Sequence, residues 1–161
     1  MIFSIVACGS NGEIGLNGVL PWEGKFYEDR AQYLRKTNRN VRVGTRGSIA
    51  TFEVNRPSYL VSRNSECPIF CTGVYDWASL PADQILCDIQ TRHTNRDIFV
   101  VGGVQWYEST AHFVDKIYLT RISASFSASS VLNVDHLLKN RSLTRAQKST
   151  EDQLVTYEEW E

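Results

Sequence analysis

Three groups of residues in this sequence are of types and at spacings that could do chemistry. The first is an acid on a helix. From Lys25 to about Thr37, Phe26, Tyr33 and Thr37 share one helical stripe, and Asp29 falls on it, three residues after Phe26 and four before Tyr33. An ionised carboxylate on an apolar face is costly unless it meets a cationic or hydrogen-bonding group, which makes Asp29 a candidate ligand-facing acid. Glu28 beside it would then face solvent. The alternative is an acid that only answers the dipole of the helix N-terminus. The second group is Val100-Val-Gly-Gly-Val-Gln-Trp-Tyr107, an apolar strand that breaks at Gly102-Gly103 where a helix begins. Bare backbone N–H groups at such a start favour phosphate, although a close-packed turn needs the same glycines. The third is a loop from Gly9 to Gly24 with five glycines around Leu20-Pro21-Trp22. A loop of that length inside a compact domain is usually functional. Arg46, Arg56 and Arg63, on turns and strand ends, are the cations nearest to hand for an anionic ligand.

The charge balance points the same way. The chain has 161 residues and a formal net charge of -1, which gives no general attraction for nucleic acid. Between Lys25 and Arg63, nine basic residues stand against three acids, so that stretch is +6 and the remainder about -7. A solvated basic face and a pocket for a small polyanion are both compatible with this. No apolar run approaches the roughly 20 residues of a membrane span. The opening Met-Ile-Phe-Ser-Ile-Val-Ala-Cys lacks a basic flank and runs into a turn, so it reads as a strand rather than an export signal. Cys8, Cys67, Cys71 and Cys87 show neither CxxC nor zinc spacing, and His93, His112 and His136 are isolated. Buried free thiols in a reducing cytoplasm and no metal site are expected.

The elements that must position these groups alternate. Residues 2–8 form a β-rich run of the kind covered on both faces. After the long loop and the first helix, Val41–Thr45 reads as a strand leading to an Arg-Gly-Ser turn and a brief helix near Ser48 to Glu53. Pro57–Arg63 and Pro68–Thr72 read as short strands. Ser79-Leu-Pro-Ala-Asp is a helix start, with Ser or Asp capping, and Ile85, Leu86 and Ile89 give its buried stripe. Asp97–Gly103 is a buried strand followed by a helix from Val104 to about Phe113. Lys116–Ile122 is a further strand, and segments near Leu143–Lys148 and Leu154–Trp160 could pair as a hairpin. Strands alternating with helices and ending in terminal strands imply one α/β domain over residues 1–161. Its sheet should be mainly parallel with an antiparallel edge.

Taken in order, several pieces resemble the dihydrofolate reductase family. They are Ile-Val-Ala at 5–7, Ile14-Gly15, Leu20-Pro21-Trp22, an acid on a helix ending Tyr33-Leu-Arg-Lys-Thr37, Arg46-Gly-Ser48, Tyr59-Leu-Val-Ser-Arg63, Val101-Gly-Gly with Tyr107, and Ile117-Tyr-Leu-Thr120. The resemblance runs from residue 2 to about 122 and more faintly through Tyr157-Glu-Glu-Trp160. It implies an α/β fold with a central eight-stranded sheet and flanking helices. It also implies hydride transfer from NADPH to 7,8-dihydrofolate, giving tetrahydrofolate for one-carbon metabolism, in a cytoplasmic monomer that binds no nucleic acid or membrane. On this resemblance Asp29 is the acid that bonds the pterin and promotes its protonation, Trp22 holds a water near it, and Thr120 bonds the acid. Ile5, Val6, Tyr33, Phe52 and Val101 contact the pterin and aminobenzoyl groups, while Arg56 grips the glutamate carboxylate. Ala7 and Ile14 hold the carboxamide, and Gly15 to Leu20, with Gly18, form a mobile loop over the nicotinamide. Gly102, Gly103, Val104 and Gln105 form the pyrophosphate turn, and Tyr107 lies near the nicotinamide ring. Arg46, Ser48, Ser62 and Arg63 take the phosphates.

The sequence also departs from the family pattern. Six residues separate Trp22 from Asp29 where four or five are usual, so counting forward favours Glu28; counting back from Tyr33 and Thr37 favours Asp29, the register adopted here. Arg30 stands at a usual apolar contact. The Asp that latches the mobile loop is replaced in a serine-rich stretch, with Ser129 nearest, which should favour an open loop without ligand. Two other readings stay open. One is a folate- or nucleotide-binding module, or a structural subunit, that keeps this fold with eroded catalysis. The other is a pyrimidine reductase of riboflavin synthesis, against which Arg56 and the Pro21-Trp22 pair argue.

Overall fold

A computed structural model describes residues 1–49, 56–64 and 71–161. Strand β1 (Ile2–Cys8) lies inside the sheet, flanked by β6 (Ile98–Val100) and β7 (Lys116–Ile122), both parallel to it. Beyond β6 come β3 (Val41–Gly44), β4 (Ser58–Ser62) and β5 (Gly73–Asp76), also parallel, and beyond β7 come β10 (Val155–Trp160) and β9 (Leu143–Lys148), antiparallel. The order β5-β4-β3-β6-β1-β7-β10-β9 makes an eight-stranded sheet. A second small sheet pairs β2 (Glu13–Gly15) with β8 (Ser130–Val131).

The period-two alternation of a strand explains which face meets which layer. Ile2, Val6 and Cys8 of β1, with Ile117 and Leu119 of β7, join the larger apolar cluster. That cluster takes Ile85, Leu86 and Ile89 from α2 (Ala82–Arg92) and Trp106 and Tyr107 from α3 (Val104–Thr110). Phe3, Ile5 and Tyr118 belong to a smaller cluster on the opposite face, with Phe99, Val101 and Tyr33 of α1 (Tyr27–Thr37). A third cluster gathers Trp22, Ile122 and Val155. The short helix α4 (Val134–Leu137) is capped by Asn133, whose side chain accepts from His136 N.

Several elements differ from the sequence reading. The edge strand is Gly73–Asp76, whereas the strand expected at Pro68–Thr72 lies largely outside the described residues, and its last two, Cys71 and Thr72, form a bend. Most of the helix expected near Ser48 to Glu53 also lies outside them. Helix α2 has Pro81 at its N-cap and no side-chain cap, because Ser79 Oγ donates instead to Asp76. Strands β2 and β8 and helix α4 were not anticipated; they have three, two and four residues, too few for periodicity to show. Cys8 is a buried free thiol raised by burial to about 11, but Cys87 is exposed and Cys71 half-buried, against the expectation of burial; Cys67 is not described. Among the described residues no helix is long and apolar enough to cross a membrane, and no group of three His, Cys, Asp or Glu could hold a metal ion.

Candidate active site

The carboxyl ends of the parallel strands open into a cleft of about 850 Å³, on the side where open α/β sheets receive ligands. Its floor is the face of the sheet that carries Ile5 and Ala7 of β1 and Tyr118 and Thr120 of β7. Helix α1 forms one wall and presents Asp29 and Tyr33, and the loop after β2 contributes Gly18, Val19 and Leu20.

Asp29 is fixed by a bond across the cleft, in which Thr120 Oγ1 donates to Asp29 Oδ1 at 2.6 Å. Burial raises the Asp29 carboxyl above the usual range, and the Thr120 hydroxyl partly offsets that. The helical register is thereby visible, since Asp29 lines the cleft and Glu28 turns to the β9–β10 connection. Opposite, the Tyr107 hydroxyl donates to the Ile5 carbonyl at 2.7 Å, and its full burial pushes its proton affinity well up. That bond ties α3 to β1 at the cleft floor.

Thr45, Gly47, Ser48, Gly103 and Val104 line the other end. Two glycines let the turns after β3 and β6 touch. A Cβ on Gly44 would meet the Gly102 carbonyl at 2.6 Å, and one on Gly102, where φ is +113°, would meet Ser48 Oγ at 2.7 Å. The Gly102–Gly103 peptide is cis. Gly103 N donates to Thr45 Oγ1 at 3.0 Å, and Thr45 N donates to the Gly102 carbonyl at 2.8 Å.

The loop carrying Gly18 and Leu20 is tied at its base. Asn17 N donates to Ser129 Oγ at 2.9 Å, and Ser129 N donates to the Gly15 carbonyl at 2.8 Å. Both bonds lie at the base of the loop and run through Ser129, the serine nearest to the latching position. Glu13 adds a buried anchor, its carboxylate accepting from Asn11 N at 2.5 Å and from Phe126 N at 2.7 Å.

Of the residues singled out from the sequence, Ile5, Val6, Ala7, Ile14, Gly15, Gly18, Leu20, Asp29, Tyr33, Ser48, Val101, Gly103, Val104, Tyr107 and Thr120 line this one cleft. Others do not. Trp22 is turned away into the third cluster, 5.1 Å from the Phe126 ring. Arg56 donates to Thr37 Oγ1 at 3.0 Å and to the Leu34 carbonyl at 2.9 Å. Arg63 donates to Gln105 at 2.8 Å and stacks over Trp77, and Ser62 Oγ accepts from Asn64 N. Gly102 is shielded by Ser48, Arg46 stands in the exposed turn beyond β3, and Phe52 lies outside the described residues. The sequence reading missed Arg145, Gln147 and Tyr157 of the terminal hairpin, which also line the cleft. Tyr157 pairs with Thr120 of β7 on one side and with Gln147 of β9 on the other. Only that pairing reveals them.

The chain is 29% identical over 125 residues to a dihydromethanopterin reductase of Methylorubrum extorquens, covering 73% of this chain and 79% of that protein. It is 29% identical over 127 residues to dihydrofolate reductase type 9 of Escherichia coli, covering 73% of this chain and 68% of that one. In fold it is similar to the dihydrofolate reductase from Enterococcus faecalis solved with NADP(H) and RAB-propyl. That likeness has a TM-score of 0.78 at 18% identity and covers 99% of this chain and 95% of that one. The dihydrofolate reductase family model matches residues 1–159, so this cleft and the sheet beneath it are those of a chain that belongs to the dihydrofolate reductase family.

Proposed function

We propose that the protein reduces 7,8-dihydrofolate to 5,6,7,8-tetrahydrofolate with NADPH as hydride donor. The observation that carries this reading is the desolvated Asp29, held by Thr120 in a cleft whose other end is a glycine-tight double turn. A nicotinamide dinucleotide fits the residues present, because the missing Cβ atoms at Gly44 and Gly102 let two turns form one surface with Thr45, Ser48 and the first turn of α3. When bound, the dinucleotide supplies the hydride.

The chain's own groups do the rest. Asp29, with a raised proton affinity, favours a substrate edge that donates hydrogen bonds or carries a proton, which is the protonation state that hydride acceptance at a pterin imine needs. Thr120 occupies one oxygen of Asp29 and so orients the carboxyl group. Ala7 and Ile14 would hold the carboxamide, with Tyr107 near the ring and Gly15 to Leu20 covering it. Ser48, Gly103, Val104 and Gln105 would hold the pyrophosphate, and Arg46, Ser62 and Arg63 the remaining phosphate. Ile5, Val6, Tyr33, Phe52 and Val101 would contact the pterin and its aminobenzoyl group.

The test follows reduced-nicotinamide absorbance with dihydrofolate and, separately, with dihydromethanopterin. Turnover with dihydrofolate is expected. Turnover with dihydromethanopterin alone would move the substrate to another pterin, and tight NADPH binding with no turnover on either would make the protein a binding module.

A further inference from the structure

Glu28 is not used in the reading above, yet it is the most heavily bonded acid of α1. Its Oε2 accepts from Ser149 Oγ at 2.6 Å, from Thr150 Oγ1 at 3.3 Å and from Glu151 N at 3.3 Å. Ser149 Oγ in turn accepts from the N–H groups of Glu151 and Asp152, at 3.1 and 3.2 Å. The whole β9–β10 turn is thus folded around one carboxylate oxygen, and the Ser149 bond foremost holds Glu28 below the usual carboxylate range.

The turn matters because, apart from Phe26 packed against the third cluster, this end of the helix has little apolar anchorage. Of the residues of α1 only Thr37, at its far end, is buried. At the near end the N-cap Phe26 is left-handed with φ at 57°, and no side chain caps the first turn. Asp29 is the next residue after Glu28, about 100° further around the helix, so one reaches the hairpin and the other the cleft. A shift of the first turn by an ångström would open the 2.6 Å bond from Thr120.

We propose that Glu28 is a positioning residue, whose bonds to the β9–β10 turn set the depth at which the first turn of α1 presents Asp29 to Thr120 and to substrate. The proposal rests on the role given to Asp29 above. The groups around Asp29 are Thr120 on β7, Tyr107 on α3, Tyr157 on β10, and Glu28, Arg30 and Tyr33 on α1 itself. Burial is what chiefly raises Asp29, so loosening the turn should admit water and bring its titration down.

The experiment is a carbon-13 carboxyl titration of Asp29 in the ligand-free protein, with single-turnover hydride transfer measured alongside. In Glu28→Ala the midpoint should move down by about 0.5 or more on the pH scale. Hydride transfer should slow roughly 10-fold or more, as a misplaced acid does. The double variant Ser149→Ala, Thr150→Ala keeps the charge of Glu28 and should move both readouts the same way by less. Glu28→Gln keeps an acceptor oxygen and should fall between, nearer the wild type. A Glu28→Ala protein that titrates and turns over as wild type would overturn the proposal. So would Glu28→Gln matching Glu28→Ala while the double variant is unchanged, since that pattern belongs to charge alone. If Glu28→Ala does not fold, the double variant decides by the same criteria. A shifted titration in a protein that turns over dihydrofolate in no form would leave the positioning intact and sink the proposed function instead.

Discussion

Helices α1 and α2 have 11 residues each and are held by opposite means. Helix α2 buries Ala82, Ile85, Leu86 and Ile89 in the larger apolar cluster, whereas α1 buries only Thr37. Beyond Tyr33 in the smaller cluster and Phe26 against the third, what fixes α1 is polar. Thr120 bonds Asp29, the β9–β10 turn bonds Glu28, Arg56 bonds Thr37 and the Leu34 carbonyl, and Lys36 lies 4.1 Å over the Tyr118 ring. Apolar packing is strong and indifferent to direction, so it suits a helix that only supports the sheet. Hydrogen bonds set distance and angle, which a helix carrying the proposed acid needs. The difference teaches that on α1 the cost of presenting a buried carboxylate is carried by directed bonds, and the apolar surface that would stabilise the helix is given up to the cleft.

The contrast breaks most visibly if a substitution on α1 fails to separate activity from stability. Asp29→Asn should lower hydride transfer by roughly 10²–10⁴-fold near neutral pH, the share of a positioned acid–base group. It should also raise the melting temperature there. The Asp29 pKa is raised on folding, so its protonated form favours the fold at low pH and that contribution is lost as pH rises through the raised value. An uncharged amide avoids the loss, and scanning calorimetry at several pH values should show the gap between the two proteins widen upward through that window. A variant that loses stability at neutral pH would contradict the account of α1.

On α2 the opposite is expected. Ile89 is fully buried, and Ile89→Ala should cost about 2–5 kcal/mol of unfolding free energy. The folded fraction should keep its KM values, and chemical denaturation with assays below the transition checks both.

Arg63 and Arg46 extend the comparison to the other end of the cleft. Replacing either by Ala should weaken NADPH binding by about 1.5–3 kcal/mol and NADH binding less, because a charge-assisted phosphate contact is removed. Arg63 also donates to Gln105, so equal losses for the two cofactors would mean that it serves only to hold α3. The smallest effect expected is at the loop. Ser129→Ala removes a neutral bond to Asn17 worth about 0.5–1.5 kcal/mol and should slow hydride transfer up to about 10-fold. Ser129→Asp, with charge assistance, should speed it in stopped-flow, and a slower step would show that latching does not limit this enzyme.

How much of this could be read in advance follows the same division. Strands with an unbroken apolar period, such as Lys116–Ile122, and the helix stripe Ile85, Leu86, Ile89 were legible because burial writes itself into sequence period. Asp29 was legible for the same reason, as an exception on an apolar stripe. The edge strand Gly73–Asp76 was not, since it opens on a glycine and none of its four residues is fully buried. Tyr157 and Gln147 lie on segments legible only as a possible hairpin, and the antiparallel pairing of Tyr157 with Thr120 and with Gln147 brings them to the cleft. Trp22 and Arg56 were expected in the cleft, but one fills an apolar gap beside Phe126 and the other is directed onto α1. Side-chain direction in loops follows from partners distant in the chain, which local spacing does not encode.

The bond between Glu28 and Ser149 spans 121 positions along the chain. On a ribosome adding about 5–20 residues each second, the acid of α1 would be made roughly 6–24 s before the turn that holds it. Over the later part of that interval, once β6 has been made, β1 and β6 have each other to pair with while α1 still lacks its hairpin partner. The newborn chain should therefore pass through a stage with a formed parallel sheet and an unseated first helix. Catalytic competence would arrive late and abruptly, with the hairpin, rather than growing in step with chain length.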